Sequence, residues 1–266
     1  MTPEELPERL AKLVRAEVGG FFCNTLRSAP GVCTVCTGPA AGGLCPQCRA
    51  AHDRYDGSLA DKVVLLAYAK GRMHPTHQSE HHVYQYKRQP PAPKCKQDLQ
   101  LMIMAATMLH GRCMTSGRPP WGALTFVPSA ARPGASHPAV DLARHVIRAD
   151  GAEPRRVLLE PASGYADEPL RFPRPDRYRL PAQFRADVAG RHVLVVDDTW
   201  VSGDKSQSAA LALKQAGASE VTILCVARWL RHDWPDHRKL IESLSRPYDP
   251  HQCPLTGGPC QAPSTR

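Results

Sequence analysis

The sequence predicts an α/β protein, a parallel sheet flanked by helices, with a small cysteine-rich module on its N-terminal side. Three observations carry this. Aliphatic and β-branched runs at residues 63–69, 123–128, 157–159, 192–196 and 221–227 alternate with helical patterns, and such interleaving builds a parallel sheet covered on both faces. The run ending at Val196 stops on two adjacent carboxylates, Asp197 and Asp198, followed by a short glycine loop and a helical pattern. Two Cys-x-x-Cys pairs stand eight residues apart in a stretch poor in large apolar side chains.

Taken in order, residues 1–22 form an amphipathic helix, with Leu6, Leu10, Leu13, Val14, Val18 and Phe21 near one face. Its charges leave no apolar core of a signal peptide. Residues 23–59 are the cysteine module, residues 60–230 the α/β domain, and residues 231–266 a C-terminal helix and loose tail. Within the α/β domain, residues 99–109 and 137–149 read as helices, and residues 162–191 as a long polar connection. The helix at 206–216 stops at Gly217, a C-cap residue. Another helix is expected at 238–244.

With 266 residues, 42% hydrophobic and 22% charged, the chain has the balance of a globular protein. No apolar run approaches the ~18 residues of a membrane span. The formal charge of +9 suits a polyanion or a small phosphorylated ligand. With no secretory signal, the ten cysteines are expected in a reducing cytoplasm, where clustered pairs point to metal rather than disulfides.

The segment from Val193 to Ser206 carries the most chemistry. A buried strand delivers Asp197 and Asp198, then Ser202 and Gly203 lead into a helix. Backbone N–H groups at a helix N-terminus favour a phosphate, Gly203 permits close approach, and the Ser202 and Ser206 hydroxyls can donate. The two aspartates suit vicinal ribose hydroxyls better than phosphate. A Rossmann-like strand with a chance acid pair is the bland alternative; a Walker loop is set aside because Gly203-Asp-Lys-Ser lacks the adjacent Gly-Lys.

This segment resembles the donor-binding signature of type I phosphoribosyltransferases, which bind 5-phosphoribosyl 1-pyrophosphate (PRPP). The resemblance implies that Asp197 and Asp198 hold the ribose hydroxyls. It also implies that Val201, Ser202, Gly203, Asp204, Lys205 and Ser206 cradle the 5′-phosphate. Val201 and Lys205 stand where the family commonly has threonine. Phe126-Val-Pro-Ser-Ala-Ala-Arg132 resembles the pyrophosphate segment of the ComF-type branch, giving Arg132 a catalytic role alongside Asp197 and Asp198, and Tyr86-Lys87 matches a less specific element of that branch. In the family, the position of residues 162–191, with Arg171, Arg174, Arg177 and Arg179, holds a loop that closes on PRPP; a solvated basic loop is the alternative.

Cys33, Cys36, Cys45 and Cys48 have the spacing of a tetrahedral four-thiolate zinc site, closed and therefore structural. A redox dithiol is the alternative, and Cys23 and His52 are neighbours not expected to ligate. A zinc ribbon ahead of the PRPP signature is the arrangement of ComF-like proteins. Cys95, Cys113 and Cys225 read as buried small hydrophobes. His251, Cys253 and Cys260 read as part of a disordered tail, with a second metal site including Cys23 as the alternative. His74, His77, His81 and His82 read as solvated linker residues.

The leading function is a phosphoribosyltransferase using Mg²⁺ and PRPP with a base acceptor. The second is a turnover-free PRPP sensor or a competence accessory contacting nucleic acid or competence machinery.

Overall fold

The computed structural model describes residues 5–27, 29–132, 134, 137–148, 150–165 and 171–260. The elements run α1 (Glu5–Val18), β1 (Cys23–Asn24), α2 (Pro46–Tyr55), β2 (Lys62–Gly71), α3 (Gln78–Tyr86) and α4 (Pro93–Met114). Next come β3 (Ala123–Phe126), α5 (Pro138–Ala143), β4 (Arg155–Arg156), β5 (Glu160–Pro161), β6 (Tyr178–Arg179) and α6 (Arg185–Val188). The chain continues through β7 (His192–Trp200), α7 (Asp204–Gln215), β8 (Glu220–Arg231) and α8 (Pro235–Ser243).

The main sheet has the order β1-β2-β8-β7-β3-β4, parallel except for the short antiparallel edge strand β1. Alternation along the strands divides the apolar side chains between two layers. Val64, Leu66, Leu194, Val196, Leu224 and Val226 pack with α1, α3, α4 and α5. Val63, Leu65, Val193, Val195, Val221 and Ile223 pack with α7 and the four module cysteines. Burial on both faces explains why these strands read as continuous apolar runs rather than alternating ones.

Strand order sets where a ligand can sit. After β3 the chain passes to β4 on one side; after β7 it passes through α7 to β8 on the other. The connections diverge between β3 and β7, and open α/β sheets bind ligands beyond the strand carboxyl ends at such a switch point.

Several sequence expectations are corrected. The strand expected at 157–159 lies at Arg155–Arg156. Val157 still donates to Leu124 O at 3.0 Å, after which Glu160–Pro161 pairs antiparallel with Tyr178–Arg179. Val157 and Leu159 are apolar because they are buried, not because they extend the main ladder. The helix expected over 137–149 ends at Ala143, because the Ile147 N–H donates to Thr107 Oγ1 of α4 at 3.0 Å rather than to its own turn; Ala149 lies outside the described residues. The histidine linker is instead α3. His77 caps its N-terminus through Nδ1, and His82 is buried with Nε2 3.1 Å from Asp98 Oδ2, while His74 and His81 are exposed.

The tail is not loose as far as residue 260. Tyr248 is buried and donates its N–H to Phe22 O at 2.9 Å, and Asn24 exchanges two hydrogen bonds with the Asp249 backbone. Among the described residues no helix is long and apolar enough to cross a membrane.

Candidate donor-binding cleft and cysteine cluster

A cleft of about 800 Å³ opens at the switch point. Its floor is the end of β7. The β7 strand runs past the aspartates to Trp200, so both carboxylates emerge where the ladder with β3 has stopped at Val196. The Asp198 N–H donates to Asp197 Oδ1 at 2.9 Å, and Ser206 Oγ donates to Asp197 Oδ2 at 2.5 Å. Asp197 keeps a solvent-facing edge but is ringed by protein, and burial together with the Asp198 charge pushes its pKa up to about 7.

Lys87, the C-cap of α3, reaches Asp198 Oδ1 at 2.7 Å and Thr199 Oγ1 at 3.3 Å. Burial opposes its charge, but Asp198 and then Asp197 outweigh it and hold its pKa above the ordinary value. Arg132, in the turn after β3, donates through its guanidinium to Lys87 O, tying the two cations to one side of the cleft.

The loop between β7 and α7 closes the other side. Gly203 caps α7 with φ of +79°, and a Cβ there would lie 2.1 Å from the Trp200 ring, so only glycine fits without displacement. Ser202 Oγ donates to Asp204 Oδ1 at 2.5 Å. The other oxygen of Asp204 is met by the guanidinium of Arg177, itself 1% exposed. Asp204 thus shapes the loop with its charge matched from below.

Of the residues singled out from sequence, Lys87, Arg132, Asp197, Asp198, Val201, Gly203, Asp204, Lys205 and Ser206 line the cleft together. Ser202 does not; it faces a small cavity beside Cys48 and Trp200. Among the arginines of the 162–191 segment, Arg171 lines the cleft. Arg177 is spent on Asp204, Arg179 pairs with Glu160, and Arg174 donates to Gly164 O. Residues 166–170 of that segment lie outside the described residues. His137, not anticipated, also lines the cleft, stacked on Phe126.

The sequence reading also missed Arg228. Its Nε donates to Cys36 O at 3.0 Å and its Nη1 to Val201 O at 2.7 Å and Trp200 O at 3.2 Å. One buried guanidinium therefore joins the cysteine module to the loop between β7 and α7. The available signal was a lone arginine inside the apolar run Cys-Val-Ala-Arg-Trp-Leu, since a buried charge requires partners.

The four module cysteines converge, their sulfurs all within 4.8 Å of one another and Cys36 Sγ 3.7 Å from Cys45 Sγ. Zinc–sulfur bonds of ~2.3 Å place tetrahedral ligands about 3.8 Å apart, so the donor set fits a structural Zn²⁺. Thiol–thiol hydrogen bonds within the cluster push the Cys33 pKa down and those of Cys45 and Cys48 up, so the four sulfurs share protons among themselves. A cation at their centre would allow all four to ionise. Cys23 and His52 stand apart from this group.

No protein-family model matches the chain, and no curated protein matches it. Among solved structures, it is similar to a phosphoribosyltransferase from Corynebacterium diphtheriae, at 20% identity and a TM-score of 0.30, covering 50% of this chain and 78% of that one. It is also similar to a hypoxanthine phosphoribosyltransferase from Staphylococcus aureus, at 13% identity and a TM-score of 0.30, covering 50% and 64%. A third likeness, to an allosteric regulatory enzyme of purine biosynthesis, has 21% identity, a TM-score of 0.29, and coverage of 48% and 26%.

Proposed function

We propose that the cleft binds PRPP with Mg²⁺ and that the chain is a ComF-like phosphoribosyltransferase, moving a phosphoribosyl group to or from a nitrogenous base in the cytoplasm. The observation that carries this reading is the juxtaposition at the switch point of an acid pair on β7 and a glycine-capped helix start, faced by Lys87, Arg132 and Arg171. In this reading residues 23–59 form a zinc ribbon and residues 60–230 the donor-binding domain, with residues 1–22 and 231–266 as flanking elements.

Asp197 and Asp198 accept hydrogen bonds from the ribose hydroxyls. The N–H groups at the start of α7, with Lys205, hold the 5′-phosphate. Arg132 and Arg171 face the pyrophosphate, whose departure breaks the C1–O bond as the base nitrogen forms its bond to C1. Asp197 and Asp198 offer the hard oxygen donors that would hold Mg²⁺, which when bound would neutralise charge on the pyrophosphate. The chain contributes positioning and stabilisation of the leaving anion.

A turnover-free PRPP-binding protein is the second reading. It is favoured by the two loop hydroxyls, which both donate to carboxylates rather than facing an anion.

Melting temperature with and without Mg²⁺ and PRPP tests the proposal. At 100 times Kd the ligand adds about 2.7 kcal/mol, or roughly 5–10 °C for a chain of this size. The shift should vanish in Asp197→Asn/Asp198→Asn. No shift in wild type rejects the donor site. A shift without pyrophosphate release across a panel of bases selects the second reading.

A further inference from the structure

Away from the cleft, at the C-terminal end of α4, the tail brings a second set of soft ligands together. His110 and Cys113 lie one helical turn apart, on the same face of the last turns of α4. Cys253 and Cys260 come from the tail, and the ligand atoms of His110, Cys253 and Cys260 all lie within 4.8 Å of one another. His110 Nδ1 is 3.1 Å from Cys260 Sγ, and Cys113 Sγ is 3.5 Å from Cys253 Sγ.

The imidazole is already oriented for ligation. His110 Nε2 is 2.8 Å from the Pro250 carbonyl, which can only accept, so Nε2 holds the proton and the Nδ1 lone pair faces the sulfurs. A ligating histidine fixed by a backbone carbonyl on its far nitrogen is the usual second layer of a zinc site.

The backbone around Cys253 repeats that around Cys33. At the first cluster the Cys33 N–H donates to Gly38 O at 2.7 Å and the Thr37 N–H to Cys33 O at 3.0 Å. In the tail the Cys253 N–H donates to Gly258 O at 2.8 Å and the Gly257 N–H to Cys253 O at 2.9 Å. The offsets of five and four residues are the same, and Thr37 and Gly257 both have positive φ. Arg27 bridges the two loops, donating to Pro254 O at 2.8 Å and Thr34 O at 3.1 Å.

We propose that His110, Cys113, Cys253 and Cys260 form a second structural zinc site that pins the C-terminal tail to the end of α4. Three thiolates and one imidazole select zinc among divalent ions and leave no open position for catalysis. The sequence reading took His251, Cys253 and Cys260 as part of a disordered tail, with a metal site including Cys23 as the alternative, and took Cys113 as a core filler. Cys23 instead lies on the edge strand, and His251 faces Glu8 at 3.4 Å.

The test is the zinc content of the full chain, purified with Zn²⁺ under reducing conditions, with Co²⁺ substitution as a spectroscopic check. Wild type should hold two ions per chain. Cys260→Ala alters an exposed side chain and should hold one, losing the cobalt absorption of a three-sulfur, one-nitrogen site. Cys33→Ala should hold one and retain that absorption. One ion in wild type, unchanged in Cys260→Ala, would overturn the proposal, as would a Cys113–Cys253 disulfide in wild-type protein holding a single zinc. Wild-type stoichiometry stands whether or not a variant folds well.

Discussion

Replacing Arg228 by Met keeps the aliphatic stem and deletes the donors that join the cysteine module to the cleft. The carbonyls of Cys36, Trp200 and Trp229 then lose that partner in a buried setting, and the Val201 carbonyl loses its 2.7 Å hydrogen bond. An abandoned buried acceptor costs about 1–3 kcal/mol, and because the freed Val201 carbonyl reaches solvent, a total near 3 kcal/mol is expected. At about 2–4 °C per kcal/mol, the melting temperature should fall by roughly 6–12 °C. The loop that starts at Val201 loses its anchor, so Mg²⁺–PRPP affinity should fall about tenfold, equivalent to ~1.4 kcal/mol. Thermal melts and isothermal titration measure the two effects. A melting temperature within about 2 °C of wild type, with affinity unchanged, would refute the idea that this guanidinium couples the two sites. The same coupling requires that Cys33→Ala weaken PRPP binding although it touches no part of the cleft.

Three further expectations follow from the same geometry. Arg177→Met strands the Asp204 charge in a buried setting and should destabilise by about 3–5 kcal/mol; adding Asp204→Asn should recover most of that in a denaturant double-mutant cycle. Gly203→Ala meets both the left-handed backbone and the Trp200 ring, for a loss of about 2–4 kcal/mol in urea melts. Asp197 has its folded pKa raised to about 7. Its contribution to stability is therefore full in acid and lost as pH rises through that value. Wild type should lose stability relative to Asp197→Asn between about pH 4 and 7, while PRPP affinity, on the proposed role, rises as the carboxylate ionises to accept ribose hydroxyls. A flat difference across that range would remove Asp197 from this role.

The sequence by itself determined the α/β class, the central strands and the first cysteine cluster. In each case the signal is local. A strand buried on both faces must be apolar throughout, a glycine before a helix marks a tight cap, and paired Cys-x-x-Cys units hold their own spacing. It also singled out the β7–α7 segment, because strand, acid pair and glycine are contiguous.

Only the tertiary structure decided what distant segments do to one another. Lys87 was singled out only by a loose resemblance, and it gains its partner once α3 sets it against Asp198; Arg177 reads as a loop cation until it is found buried beneath Asp204. Val157 and Leu159 carry the composition of a strand without its pairing, since apolar content reports burial and not hydrogen bonding. The second cysteine cluster draws on residues separated by 140 positions or more. No periodicity or spacing rule reaches across that distance, because the contact exists only once the tail has folded back onto the end of α4.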